Sequence, residues 1–195
     1  MSACTHKPFD ARCLDVARFA LDSGELEGTA RLADFPRVAV EAAAEAVDMP
    51  VVIGWQAQGK RCRDAGLADG IARPTLHLRV QARLPLVCQR CLHLVWVELA
   101  IDRDFLFVPD EAQAVRLDER AENDVLVSAG DFDLFGLIED ELLLALPLSP
   151  RHSRCPQGLR PPAQNAGSGT QTSEQPHPFA ALAALKRQGR EPDDL

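Results

Sequence analysis

Two periods alternate along this chain. Beginning at Val51, apolar residues recur at every second position: Val51, Ile53, Trp55 and Ala57 alternate with Val52, Gly54, Gln56 and Gln58. Leu76, Leu78, Val80, Ala82 and Leu84 likewise alternate with His77, Arg79, Gln81 and Arg83, and Val95, Val97, Leu99 and Ile101 enclose Trp96 and Glu98. Successive side chains of a strand point to opposite faces, so these runs predict three strands with one apolar face each, the second of them basic on its other face. Helical spacing brackets the strands. Phe9, Cys13, Val16, Ala17, Ala20 and Leu21 predict an opening helix over 9–21. Leu134, Ile138, Leu142, Ala145 and Leu146 predict a second helix from about Asp133 to Leu146, capped by Asp131 or Asp133 and ended by Pro147. Glu141 falls at the edge of its apolar stripe and Asp140 points away. The charged stretch Ala112–Gly130 reads as a loop. The expected fold class is α+β: a mostly antiparallel sheet with an N-terminal helix and a packed C-terminal helix.

These elements fill residues 1–155, which are expected to form a single domain. At Pro156 the composition shifts to Gly, Pro, Ser, Thr, Gln and Asn with almost nothing to bury, so 156–176 reads as a flexible linker. The tail, 177–195, carries an amphipathic stretch of Phe179, Leu182, Ala183 and Leu185 followed by Lys186, Arg187 and Arg190. It is too short to hold a helix alone and needs a surface to fold upon, either its own domain or a partner. No internal repeat is present.

With 195 residues, 46% of them apolar, the chain can build one ordinary core. Charged residues interrupt Met1–Asp22, so no signal-peptide core forms there, and the greasiest run, Leu142–Leu148, is too short to cross a bilayer. The expectation is a cytoplasmic protein without a membrane partner, whose six cysteines stay reduced; disulfides are the least supported reading. The net charge of −8 is unevenly spread. Lys60, Arg61, Arg63, Arg73, Arg79, Arg83 and Arg90 meet only Asp64 and Asp69, whereas acids dominate from Glu98 to Glu141. This reads either as two solvated faces of opposite sign or as a local anion contact on a molecule that repels bare nucleic acid as a whole.

The sharpest chemical signal is a pair of clusters, Cys88-Gln89-Arg90-Cys91 and His152-Ser153-Arg154-Cys155. Two ligands separated by two residues can reach one ion from a single turn of backbone, and the first pair falls in the short connection between two strands, a zinc knuckle. Cys88, Cys91, His152 and Cys155 together make the complete ligand set of a closed structural zinc site. A redox dithiol and plain buried thiols remain the competing readings; the former would want the pair at a helix N-terminus. Cys4, Cys13 and Cys62 lack partner spacing and read as ordinary cysteines, and His6, His77 and His177 as solvated. Glu139-Asp140-Glu141 resembles a carboxylate metal site only on paper, because neighbours on a helix point about 100° apart; a solvated helix face is the simpler reading. No phosphate loop, nucleophile elbow or dinucleotide fingerprint occurs, and with no Tyr an aromatic platform for RNA is poorly supplied.

Several motifs then fall into a familiar order. Val87-Cys88-Gln89-Arg90-Cys91-Leu92 is followed by Asp133-Leu134 and Leu137 to Pro147, by Pro150-Arg151-His152 with Cys155, and by Pro178-Phe179-Ala180 with Leu182 and Leu185-Lys186. In this the chain resembles the YceD family, also called DUF177, from about Leu84 to Arg187. It departs at His93 and Leu94, where many relatives carry an acid and a proline, and at His177, where asparagine is usual. The resemblance implies a role in synthesis, processing or stability of 23S ribosomal RNA during large-subunit assembly, and it does not imply catalysis.

The leading expectation is therefore a non-enzymatic assembly factor with a structural zinc and no small-molecule substrate. Its partner is 23S ribosomal RNA or a large-subunit ribosomal protein. Arg79, Arg83 and Arg90 are the candidate RNA contacts, with Lys186 and Arg187 as a second set. The alternatives are an acidic adaptor that binds a basic ribosomal protein without touching RNA, and a thiol oxidoreductase acting through Cys88 and Cys91.

Overall fold

The computed structural model describes residues 9–46, 49–67, 69–128 and 130–156. The expected linker and tail therefore lie outside the described residues, as do Lys186 and Arg187. The elements in chain order are α1 (Val16–Leu21), β1 (Glu25–Arg31), α2 (Pro36–Glu41), β2 (Val52–Cys62), β3 (Arg73–Val87), β4 (Leu94–Val108), α3 (Glu111–Asp118), β5 (Asp124–Val127) and α4 (Leu134–Ala145). The strands form one sheet in the order β1-β2-β3-β4-β5, antiparallel throughout except for the parallel β4–β5 pair. The fold is α+β, as the alternating periods imply.

The register explains the alternation. Ile53 pairs with Ala82, Trp55 with Val80, Ala82 with Leu99 and Val80 with Ile101, so the apolar members of three strands share one face. That face meets α4, whose Leu134, Ile138 and Leu142 are wholly buried. Asp133 caps α4 by accepting the Phe135 amide, and Pro147 follows its end. The other face of β2, β3 and β4 is left to polar residues.

Three expectations need correction. The opening helix covers only Val16–Leu21, because Leu14 exchanges backbone hydrogen bonds with Phe132 and Asp15 then caps the turn by accepting from the Arg18 amide. Backbone groups committed to a bridge cannot also close a helix. The stretch 112–130 is not a loop, since it contains α3 and β5. Finally, Glu139 and Glu141 are not a solvated face: both are buried, Glu139 accepting from the Arg37 amide at 2.7 Å and Glu141 from Arg103 at 2.9 Å.

Candidate metal centre

The longest hairpin of the sheet supplies half of the site. β3 ends at Val87 and β4 starts at Leu94, which leaves Cys88–His93 for the turn. The Cys88 amide donates to the His93 carbonyl at 2.9 Å and the Leu92 amide to the Cys88 carbonyl at 2.8 Å, closing a tight loop. Leu92 makes the final reversal in the left-handed region, φ 62°. The other half arrives after α4. Beyond Pro147 the chain returns as a strap that is pinned across the turn, the Gln89 amide donating to the Pro150 carbonyl at 2.8 Å and Arg90 to the His152 carbonyl at 3.0 Å.

The strap brings His152 and Cys155 to Cys88 and Cys91, and the four candidate ligand atoms lie within 4.8 Å of one another. A tetrahedron with 2.3 Å metal–sulfur bonds has edges of about 3.8 Å. The present spacing is therefore a small closing motion away from coordination. The histidine is already set in the required tautomer. Its Nε2 lies 2.9 Å from the Leu94 carbonyl, which can only accept, so Nε2 carries the proton. In the neutral ring this leaves the lone pair on Nδ1, 3.4 Å from Cys91 Sγ.

Electrostatics separate the sulfurs. Burial works against the Cys88 thiolate, but hydrogen bonds from the backbone of His152, Arg90 and Cys91 outweigh it and bring the thiol down to about 5. Cys91 goes the other way. The backbone of His93 favours its thiolate, yet burial and the neighbouring sulfurs of Cys155 and Cys88 hold its proton on more tightly than usual. Cys155 receives the Nε–H of Arg90 at 3.1 Å, a contact that raises the pKa of the guanidinium. Three sulfurs this close resist carrying three negative charges without a cation among them. Among the described residues this is the one group of Cys, His and carboxylate side chains gathered so that it can hold a metal ion.

The remaining predicted site residues are dispersed. Arg79 donates to Asp102 at 3.0 Å, its partner in the β3–β4 register. Arg83 is 3.9 Å from Glu98 and lies over the Trp96 ring at 5.0 Å. Arg90 turns into the ligand group. The basic and acidic stretches of the sequence are thus laid against each other by the hairpin rather than on separate faces. His77, expected in solvent, bonds Asp104 at 3.0 Å, and Lys60 reaches the same carboxylate at 2.9 Å.

Asp64 escaped the sequence reading, although it organises the opposite end of the sheet. Its carboxylate accepts from the amides of Gly66 at 2.9 Å, Glu122 at 3.1 Å and Asn123 at 3.2 Å, and from the Asn123 side chain at 2.9 Å. Burial opposes ionisation there, but these donors prevail and keep the carboxyl below its usual range. A Cβ on Gly66 would lie 2.1 Å from the Arg120 carbonyl, so only glycine permits the approach. The one available signal was Asp110 three residues before Gln113, a capping pattern that marks α3 and hence a structured segment leading to residue 122.

Fold and site define an α+β protein whose longest hairpin ends in a Cys-x-x-Cys turn tied down by a Cys- and His-bearing strap. The sequence pattern of the family described as "YceD: Large ribosomal RNA subunit accumulation protein YceD" matches residues 76–186, more than half of the chain, and the chain belongs to this family. A relative from Haemophilus influenzae named "Large ribosomal RNA subunit accumulation protein YceD" is 37% identical over 112 residues. The match covers 56% of this chain and 63% of that protein's length. No solved structure matches.

Proposed function

We propose that this chain is a cytoplasmic, non-enzymatic factor for accumulation of the large-subunit ribosomal RNA, 23S, and that Cys88, Cys91, His152 and Cys155 hold a structural zinc. The family match over residues 76–186 carries the first statement. For the zinc, the support is the convergence of three sulfurs and an imidazole whose tautomer leaves the ligating nitrogen free. Sulfur-rich, four-fold sets favour zinc over magnesium or calcium, and a closed set leaves no open position for chemistry. Binding of such an ion contributes on the order of 10 kcal/mol to folding, enough to decide whether turn and strap are ordered. Within this reading the protein takes no small-molecule substrate, and 23S ribosomal RNA is its partner. Arg83 is the β3 contact with the weakest internal pairing, while Arg79 is held by Asp102 and Arg90 by the strap. Lys186 and Arg187 remain the second contact.

An oxidoreductase role is disfavoured by position. Cys88 has no exposed surface and sits between strands, not at a helix N-terminus. A specific observation favours a second reading, the acidic adaptor. Carboxylates of β4 neutralise much of the basic strand, and the chain as a whole carries −8, so a basic large-subunit protein is a suitable partner. Depleting the protein in its own cells and measuring 23S against 16S RNA tests the role: selective loss of 23S, restored by the wild-type chain, is expected, and an unchanged ratio would refute it. Pull-downs with and without ribonuclease separate RNA contact from the adaptor.

A further inference from the structure

The turn end of the β3–β4 hairpin has a charge balance unlike that of the whole chain. Arg83, Arg90, Arg151 and Arg154 are all exposed there. On the outer sheet face Glu98 is the adjacent carboxylate, 3.9 Å from Arg83, and Glu41 lies on the helix-bearing side, beside Gln89 and Pro150. Arg90 is spent inward on Cys155 and the His152 carbonyl. The others are not. Arg151 touches only the neutral Ser149 hydroxyl at 3.1 Å, and Arg154 has no side-chain hydrogen bond or ion pair among the described residues.

The same hairpin presents an indole. Trp96 is 38% exposed, two residues along β4 from Leu94, whose carbonyl holds His152 of the strap. Arg83 lies over its ring at 5.0 Å, which fixes the indole and makes a small mixed platform of guanidinium and aromatic ring. The chain has two tryptophans; Trp55 is in the core, so Trp96 is the one presented to water.

We infer that this tip binds unpaired RNA, with Trp96 stacking on one base and Arg83, Arg151 and Arg154 contacting flanking phosphates. The inference rests on the RNA-linked role proposed above and narrows it to one surface and one form of RNA. An exposed ring selects unpaired bases because a duplex hides their faces. Among the described residues Arg151 and Arg154 face no carboxylate and Arg83 is only loosely paired with Glu98, and guanidinium groups so placed favour phosphate, which they can grip with paired donors. The rest of the outer face offers less, since Arg79, His77 and Lys60 already face Asp102 and Asp104. The strap is already pinned to the turn through Gln89 and Arg90, which lowers the ordering cost of binding.

The test uses the full chain as purified with its metal, a short fluorescein-labelled oligouridylate and an RNA duplex of equal length, read by anisotropy. The single strand is expected to bind more tightly than the duplex and to quench tryptophan emission. Trp96→Ala should weaken binding about tenfold and abolish the quenching, while Trp96→Phe keeps most of the affinity. Arg151→Ser/Arg154→Ser should reduce the slope of log affinity against log salt by about 1 to 2. Arg116→Ser/Arg120→Ser, one on α3 and one just beyond its end, should change nothing. Melting temperature and zinc content verify each fold, and if Trp96→Ala is unfolded the Arg pair and the quenching decide. Binding unaffected by the tip variants would overturn the inference and leave RNA contact to another surface. Failure of the wild type to bind RNA, with 23S loss still seen on depletion, would overturn it and favour the adaptor.

Discussion

The two ends of the sheet are each tied by a single cluster of groups far apart in sequence, but with opposite needs. At one end Asp64 gathers four N–H donors from residues 66, 122 and 123. Its one negative charge is fully answered by the protein itself. At the other end three sulfurs and an imidazole nitrogen gather with lone pairs in excess; backbone amides reach Cys88 and Cys91, and Arg90 on Cys155 is the one cation that donates to a sulfur among the described residues. A network of donors around an acceptor is complete as folded, whereas a cluster of acceptors gains most from a cation. The first end should therefore be insensitive to metal and sensitive to acid, and the second strongly dependent on metal.

The largest effect is expected from breaking the ligand group. Elemental analysis of the wild type should find about one zinc per chain, and Cys88→Ser/Cys91→Ser should abolish it and remove a linkage of about 10 kcal/mol. Hydrogen exchange should accelerate in 88–94 and 150–155, with the Asp64 loop unchanged; equal acceleration at both ends would dissolve the contrast. Asp64→Ala should cost about 3 kcal/mol in urea unfolding, because it removes the buried acceptor of four part-buried hydrogen bonds, and should leave zinc content intact. Acid titration probes the same contact. The Asp64 carboxyl is depressed in the folded state, so its contribution is present above the unfolded value of about 3.9 and is lost as pH falls through the lower folded value. Stability measured across that window should fall less steeply in Asp64→Asn than in the wild type. Smallest is Leu92→Gly. Left-handed strain of about 1–2 kcal/mol is relieved against about 0.5–1 kcal/mol of added chain entropy, so a gain of about 0.5–1 kcal/mol in thermal unfolding is expected.

The sheet was legible where one face is apolar and the residues are large. Leu76 to Leu84 announces β3 because every second position is buried and every other one polar. β1 carries the same alternation, but its inner positions are Leu26, Gly28 and Ala30, and small residues give almost no hydrophobic signal. Gly28 is small because the Trp55 indole lies over it, a cause that exists only in three dimensions. The clusters around Cys88 and Cys155 were legible because ligand chemistry requires local pairs. That they meet depends on the length and direction of α4. The fate of the basic stretch was hidden for a related reason. A list of arginines does not show which carboxylate lies opposite, and register alone puts Arg79 against Asp102 and Arg83 against Glu98.

The order of strands has a consequence for synthesis. β1 to β4 pair each with its successor, so that part of the sheet can assemble in sequence as the chain leaves the ribosome. His152 follows Cys91 by 61 residues, after α3, β5 and α4 have all been made. The first cysteine pair must wait, reduced, until the domain is nearly whole. Capture of an ion by the proposed ligand group would then serve as a checkpoint, marking a domain whose last strap has reached the β3–β4 turn.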